Sequence, residues 1–305
     1  MILTITLNPC IDKSTRVDKL EPEAKLRCTE VVNEPGGGGI NVSKALEKLD
    51  CDSVALFPAG GHNGDMLCSL LKETSIQFHA IPTSVETREN WVVKEILQNH
   101  QYRFTFPGRA VAEDSIRLLM DKIDASPYNY IVASGSLPPG VSHELYGMIV
   151  EKALTIGAKC IVDTSGAALQ SLENKKAFLI KPNRSELCKL VGIEKIEHND
   201  VPEAARKIID KGFAEWVAVS MGADGAWMVS NSEAFFCKAP QVERKSTVGA
   251  GDSMVAGITY MFSKGASPED AIRFGVCCGS AATMNEGTQL FKKEDVYALF
   301  NNLPY

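Results

Sequence analysis

Short apolar runs alternate with longer amphipathic stretches along most of this 305-residue chain. Ile2 to Leu7 reads as a buried strand. Similar signatures recur at Ser53 to Phe57, Gln77 to Ile81, Tyr130 to Ser134, Lys159 to Asp163, Ala177 to Ile180 and Trp216 to Ser220. Between them, Ile40 to Leu49, Asp65 to Glu73, His143 to Thr155, Arg184 to Leu190 and Pro202 to Lys211 read as helices. Two more strands, Gly225 to Val229 and Ala234 to Cys237, precede a mostly helical last third: Gly251 to Phe262, Pro268 to Met284 and Lys293 to Asn301. This β-then-α order predicts a mainly parallel sheet covered by helices on both faces.

Two segments, roughly 12–33 and 86–108, break the alternation. Arg88 to Leu97 and Gln101 to Phe106 flank the polar turn Gln98-Asn99-His100, a hairpin pattern. Residues 12–33 predict short strands. The two segments are expected to pair as a separate small sheet. Such a sheet needs a cover, either a cleft, a second subunit or both. With no internal repeat and no linker, residues 1–305 read as a single domain carrying that inserted sheet.

Composition changes this picture little. The chain is 45% hydrophobic and 23% charged, as a globular protein is. Its net charge of -6 gives no reason to expect nucleic acid, so an anionic ligand must be caught by local cations. The nine scattered cysteines contain no CxxC pair and fit free thiols in a reducing cytoplasm. Cys277-Cys278 reads as helix interior. No apolar run has membrane-spanning length, and MILTITLNP reads as a first strand rather than a signal peptide.

The chemistry concentrates in loops after strands. Ser246-Thr247-Val248-Gly249-Ala250-Gly251-Asp252 opens a helix with small residues, which let backbone N–H groups approach an anion. A carboxylate beside that anion makes sense if Asp252 takes a proton from a hydroxyl attacking a phosphoryl group. The run Gly36 to Gly39, followed by Asn41, suits a sugar approaching the backbone; a flexible turn explains it equally well. Asp12, just after the first strand, can grip adjacent hydroxyls or be a surface turn residue. Lys25, Arg27 and Arg88 would converge on a phosphate if the two β segments pair, with Arg103 a weaker candidate. Solvated strand-edge charge is the alternative. Ser136 lies in the rigid loop Ser134 to Gly140. Asn183 and Glu186 suit either a capping box or a magnesium site reached through water. Ser220 to Gly225 is a tight turn or a nucleotide loop.

This ordered set, Gly36 to Val42, Asn183 to Glu186 and Thr247 to Ser253, resembles the ribokinase-like (PfkB) carbohydrate kinases along essentially the whole chain. Lys25 to Thr29, Glu34 to Val42, Gln101 to Phe104 and Ser246 to Met254 resemble most the 6-phosphofructokinase branch of the minor-isozyme type. The related 1-phosphofructokinases and tagatose-6-phosphate kinases usually carry Lys at the third place of the glycine run, where this chain has Gly38. The resemblance implies a three-layer α/β/α fold with a β lid, often paired into a homodimer. It implies ATP and a ketohexose phosphate as substrates, fructose 6-phosphate first, with tagatose 6-phosphate or fructose 1-phosphate as alternatives. A non-catalytic nucleotide-binding module is the distant alternative.

The resemblance also implies roles. Asp252 would be the base, and Gly249, Ala250 and Gly251 the anion hole. Asp12, Gly37, Gly38 and Asn41 would hold the sugar. Arg88 and Ser136 would hold its phosphate, with Arg27 reaching over from a partner subunit. Lys25, Lys181, Asn183, Ser220, Gly222, Gly225 and Ser280 would line the ATP site. Glu186 would organise Mg2+. Ser246, Val248, Ala282, Asn285, Gly287 and Gln289 would build a K+ site, mostly from backbone oxygens.

Overall fold

The structure, a computed structural model, describes residues 1–124, 126–285 and 289–303. Its strands are β1 (Ile2–Ile5), β2 (Cys10–Val17), β3 (Val32–Gly36), β4 (Ser53–Ala59), β5 (Gln77–Pro82), β6 (Arg88–Glu95), β7 (His100–Thr105), β8 (Tyr130–Ser134), β9 (Lys159–Asp163), β10 (Ala177–Ile180), β11 (Ala214–Ser220), β12 (Ala226–Val229) and β13 (Ala234–Cys237). Its helices are α1 (Gly38–Lys48), α2 (Gly61–Lys72), α3 (Glu113–Ile123), α4 (Leu145–Thr155), α5 (Gly166–Gln170), α6 (Arg184–Val191), α7 (Val201–Asp210), α8 (Ala250–Ser263), α9 (Pro268–Thr283) and α10 (Lys293–Asn302).

The main sheet runs β13-β12-β11-β10-β9-β8-β1-β4-β5. It is parallel from β11 to β5, with β12 and β13 added antiparallel at one edge. Because side chains alternate along a strand, the sheet fills two cores. On β8, Ile131 and Ala133 enter the core shared with Leu119, Ile149 and Ile208. Val132 enters the other, with Leu46, Val255 and Phe274. Helices therefore cover both faces, as the alternation of elements predicts.

From β1 the chain builds β4 and β5 on one side, then returns to place β8 on the other. That reversal opens a crevice beyond the carboxyl ends of β1 and β8, where ligands of open α/β sheets bind.

The second sheet has the order β3-β2-β6-β7. β2 and β6 pair in parallel over eight residues, Cys10 with Arg88 through Val17 with Glu95, so the two interrupting segments do join each other. Residues 18–31 form no strand, contrary to expectation. This stretch is mostly exposed, includes Glu21-Pro22-Glu23, and returns to the sheet by Thr29 N donating to Arg16 O at 2.9 Å. Helix α1 starts two residues before Ile40. Gly37 (φ 112°) turns the chain, and Gly39 lies so close to β1 that a Cβ would stand 2.5 Å from Ile5 O. Helix α3 is not among the sequence expectations, although Ser115, Leu119 and Ile123 are buried at a four-residue spacing.

Candidate active site

Parallel strands deliver their last residues to one edge, and the polar groups gather there. β1 leads to Asn8 and Asp12, and β8 ends at Ser134. β9 ends at Asp163, β10 leads into Lys181, and β11 ends at Ser220. Opposite them begins α8. Gly249 caps it in the left-handed conformation (φ 71°), and no side chain caps its first turn. That left-handed φ favours glycine here, and a Cβ would also stand 2.4 Å from the movable end of Leu290, Cδ2. The first N–H groups of α8 and its dipole thus favour an anion beside Gly249, Ala250 and Gly251.

Asp252 sits in that first turn. Its Oδ2 accepts from Asn41 Nδ2 at 2.9 Å and its Oδ1 from Ser134 Oγ at 3.4 Å. Burial, followed by the charge of Asp163, pushes its pKa from 3.8 up to about 6. The Asn41 and Ser134 hydrogen bonds and the Lys181 charge oppose that rise. Lys181 is buried, with its Nζ 3.1 Å from Asp163 Oδ1. Burial works to lower its pKa, but Asp163, aided by Asp252 and Glu186, holds it above the ordinary lysine value. A Cβ on Gly251 would be 3.7 Å from Lys181 Nζ, so this ammonium lies beside the start of α8.

The sugar candidates meet at the inner end of the small sheet. Asp12 is buried, and its Oδ1 accepts from Asn90 Nδ2 at 3.0 Å and from Cys10 Sγ at 3.2 Å. Gly36 and Gly38 are spaces that neighbours fill. A Cβ on Gly36 would stand 2.2 Å from Asp12 Oδ2, and one on Gly38 2.3 Å from Ser134 Oγ. Arg88 donates through Nε and Nη2 to Asn8 O, at 3.1 and 3.0 Å. Its Nη1 donates to Asn90 Oδ1 and Phe106 O, at 3.1 and 2.9 Å. Asn8 Nδ2 donates to Ser136 Oγ at 3.3 Å and so ties Arg88 to Ser136.

Two expectations fail within one chain. Lys25 and Arg27 do not converge on Arg88, which lies at the Cys10 end of β2 while their exposed loop leaves from the Val17 end. Seven residue steps at the rise of a strand separate those ends by roughly 23 Å. Arg103 does not approach Arg88 either; its Nη2 donates to Thr247 Oγ1 at 2.7 Å, joining the small sheet to the anion loop.

Asn183 and Glu186 form a complete capping box on α6. Glu186 N donates to Asn183 Oδ1 (2.9 Å), and Asn183 N donates to Glu186 Oε2 (2.8 Å). Ser220 N donates to Pro182 O at 3.0 Å and bridges to Asn183, so the two candidate nucleotide loops adjoin. Gly222 (φ 61°) faces open space, whereas Gly225 (φ 108°) is packed so that a Cβ would be 2.0 Å from Cys237 O. Close packing on β13 explains that second glycine. Ser280 is buried on α9, one residue from Gly279, where a Cβ would meet Ala250 O at 3.1 Å.

The segments around Ser246, Val248, Ala282 and Asn285 also adjoin. Lys245 N and Ser246 N donate to Thr283 O, at 2.8 and 3.2 Å, and Asn285 Nδ2 donates to Leu290 O at 2.8 Å. Gln289 lies in the loop before Leu290; Gly287 lies outside the described residues. Sequence reasoning missed Asn8, Cys10, Asn90 and Asp163, and took Ser134 only as the start of a loop. Asn8 and Asp163 end or follow parallel strands, a position that could have singled them out.

The pfkB family carbohydrate kinase pattern matches residues 2–295. The chain belongs to the pfkB family of carbohydrate kinases. It is 42% identical over 301 residues to the ATP-dependent 6-phosphofructokinase isozyme 2 of Escherichia coli, covering 98% of this chain and 97% of that protein. The 1-phosphofructokinase of Bacillus subtilis is 31% identical over 96% of this chain and 97% of its own. The crystal structure of Escherichia coli phosphofructokinase-2 in complex with fructose-6-phosphate superimposes with a TM-score of 0.94 at 40% identity, covering 99% of this chain and 98% of that one. The same Escherichia coli protein has been solved in complex with potassium and in a tetrameric inhibited form. Among pfkB kinases, then, this chain is more similar to that 6-phosphofructokinase than to that 1-phosphofructokinase.

Proposed function

We propose that this pfkB kinase is an ATP-dependent 6-phosphofructokinase, transferring the γ-phosphoryl group of ATP to the 1-hydroxyl of fructose 6-phosphate. The observation that carries this reading is Asp252, a carboxylate with raised pKa held by Asn41 and Ser134 in the first turn of an uncapped helix. Asp252 takes the 1-hydroxyl proton as the sugar oxygen bonds to the γ-phosphorus and the bond to the bridging β–γ oxygen breaks, leaving ADP. The amides of Gly249, Ala250 and Gly251, with Lys181 beside them, stabilise charge on the phosphoryl oxygens. Asp12, Gly37, Gly38 and Asn41 hold the sugar; Arg88 and Ser136 hold its 6-phosphate. Lys181, Asn183, Ser220, Gly222 and Ser280 line the nucleotide.

Mg2+, carried by ATP, would supply charge neutralisation. Glu186 fits its hydration shell, because the cap engages Oε2 and leaves Oε1 for a metal-bound water. Ser246, Val248, Ala282, Asn285 and Gln289 offer uncharged oxygens from the last turn of α9 and the loops beside it, a donor set that suits K+. This ion would brace the anion loop beside Gly249.

The small sheet acts as the lid, a role supported by the Arg103–Thr247 bond across the cleft. It exposes Val32, Tyr102 and Phe104, surface that suits a homodimer formed through the lids. In such a dimer Arg27 serves the partner's sugar phosphate, since its own Arg88 is out of reach. No described helix is long and apolar enough to cross a membrane.

The nearest alternatives are tagatose 6-phosphate and fructose 1-phosphate. Gly38 argues against them, because kinases for those two sugars usually carry Lys at this place of the glycine run; here a side chain would meet Ser134 and the backbone of Gly135. The test is kcat/KM with MgATP on the three sugar phosphates and on unphosphorylated fructose. Fructose 6-phosphate is expected to lead. Higher efficiency on another sugar phosphate would change the substrate, and ATP binding without turnover would refute the enzyme.

A further inference from the structure

Cys10 lies on β2, the strand paired with β3 on one side and β6 on the other. In register it stands between Gly36 of the glycine run and Arg88 of the phosphate grip. Its side chain is 1% exposed. A space-filling core thiol would have apolar neighbours. This one has polar partners: Asn90 Nδ2 donates to its sulfur at 3.1 Å, and its S–H donates to Asp12 Oδ1 at 3.2 Å. Asn90 Nδ2 also donates to that same Asp12 oxygen at 3.0 Å. Oδ1 is therefore occupied twice from within the sheet. The other oxygen, Oδ2, lies along the glycine run, 2.2 Å from where a Gly36 Cβ would be.

We propose that Cys10 is a positioning residue for the sugar grip. Its buried thiol, clamped by Asn90, fixes which Asp12 oxygen faces the sugar hydroxyls and so sharpens the choice between ketohexose phosphates that differ at one hydroxyl. This inference rests on Asp12 gripping the sugar. Burial and the neighbouring Asp12 charge raise the Cys10 pKa well above that of an ordinary thiol, so it stays a protonated donor at neutral pH. Without the S–H, Asp12 keeps only Asn90 on Oδ1 and can turn, so both oxygens share the hydroxyls less selectively. A thiol is a weak donor, and the effect should be correspondingly modest.

The test compares Cys10→Ala, Cys10→Ser and Cys10→Val in the full-length protein. Cys10→Ala is expected to raise KM for fructose 6-phosphate roughly fivefold, about what one hydrogen bond contributes. KM for ATP should stay unchanged. The ratio of kcat/KM for fructose 6-phosphate over tagatose 6-phosphate should fall. Cys10→Ser, which keeps a donor, should restore both readouts; Cys10→Val, which fills the space without one, should not. In an Asp12→Ala background, Cys10→Ala should add nothing to KM. If Cys10→Ala or Cys10→Val lowers only Tm, leaving KM and the sugar ratio intact, the thiol is packing and the proposal is overturned. If Asp12→Ala itself leaves the sugar KM unchanged, the underlying assignment of Asp12 fails instead.

Discussion

Replacing Asp252, the base in the proposed reaction, should make this protein harder to unfold. In the fold, Asp252 has a pKa pushed from 3.8 to about 6 by burial and by Asp163. A carboxyl that is harder to ionise in the native state than in the unfolded chain destabilises the native state once it is charged. The sign follows. Well below pH 3.8 the group is protonated in both states and costs nothing. As pH rises from there toward 6, the unfolded chain gives up a proton that the native state still holds, and stability falls until the native group is ionised too. A shift of about 2 units corresponds to roughly 3 kcal/mol at neutral pH and above. Asp252→Asn removes that cost, and its amide can also supply a donor to Asn41 Oδ1, a buried oxygen with no partner among the described residues. For a chain of this length roughly 3 kcal/mol corresponds to a Tm gain of about 5 °C. The assay is calorimetry of both proteins at pH 8 and pH 4.5, with kcat measured alongside. The expected pattern is a clear Tm gain at pH 8, little at pH 4.5, and kcat lower by orders of magnitude with ATP binding retained. A variant less stable than the parent at pH 8, or equally shifted at both pH values, would refute the electrostatic reasoning.

Activity should follow the same group: kcat/KM should drop about tenfold per pH unit below 6, and a flat profile to pH 5 would exclude Asp252 as the base. Lys181→Met removes a charge that holds the Asp252 pKa down, so the acid limb should move above pH 6; an unmoved limb would separate Lys181 from Asp252. Gly225→Ala should destabilise by roughly 2 kcal/mol or more, since it combines a positive φ with a Cβ against Cys237 O. Selective loss of ATP affinity at unchanged Tm would instead make this glycine a nucleotide contact. If Arg27 acts across a dimer, mixing Arg27→Ala with Asp252→Asn subunits should restore about a quarter of normal sites. No recovery after subunit exchange would confine Arg27 to its own chain or leave it without a role.

The strand–helix alternation and the pairing of the two interrupting segments were legible because apolar periodicity is local. The Asp252 loop was legible because glycines and an acid at a helix start combine few chemistries. Partnerships across the sheet were not. Asp163 reads as an ordinary strand end until β10 brings Lys181 beside it, and Cys10 reads as a buried thiol until β6 brings Asn90. The supposed convergence of Lys25 and Arg27 on Arg88 failed for a related reason. Pairing of segments could be inferred, but the parallel register, which sends the Val17 end away from Arg88, could not. Asn183 and Glu186 stayed ambiguous because a capping box and a magnesium-facing acid use the same spacing, and the structure displays the cap.

The most direct test is a crystal structure of the protein with fructose 6-phosphate and a non-hydrolysable ATP analogue bound together. The sugar's 1-oxygen should lie within hydrogen-bonding distance of an Asp252 carboxylate oxygen and in line with the γ-phosphorus above the first turn of α8. An Asp252 turned away from that oxygen, or a different sugar oxygen facing the phosphorus, would contradict the mechanism.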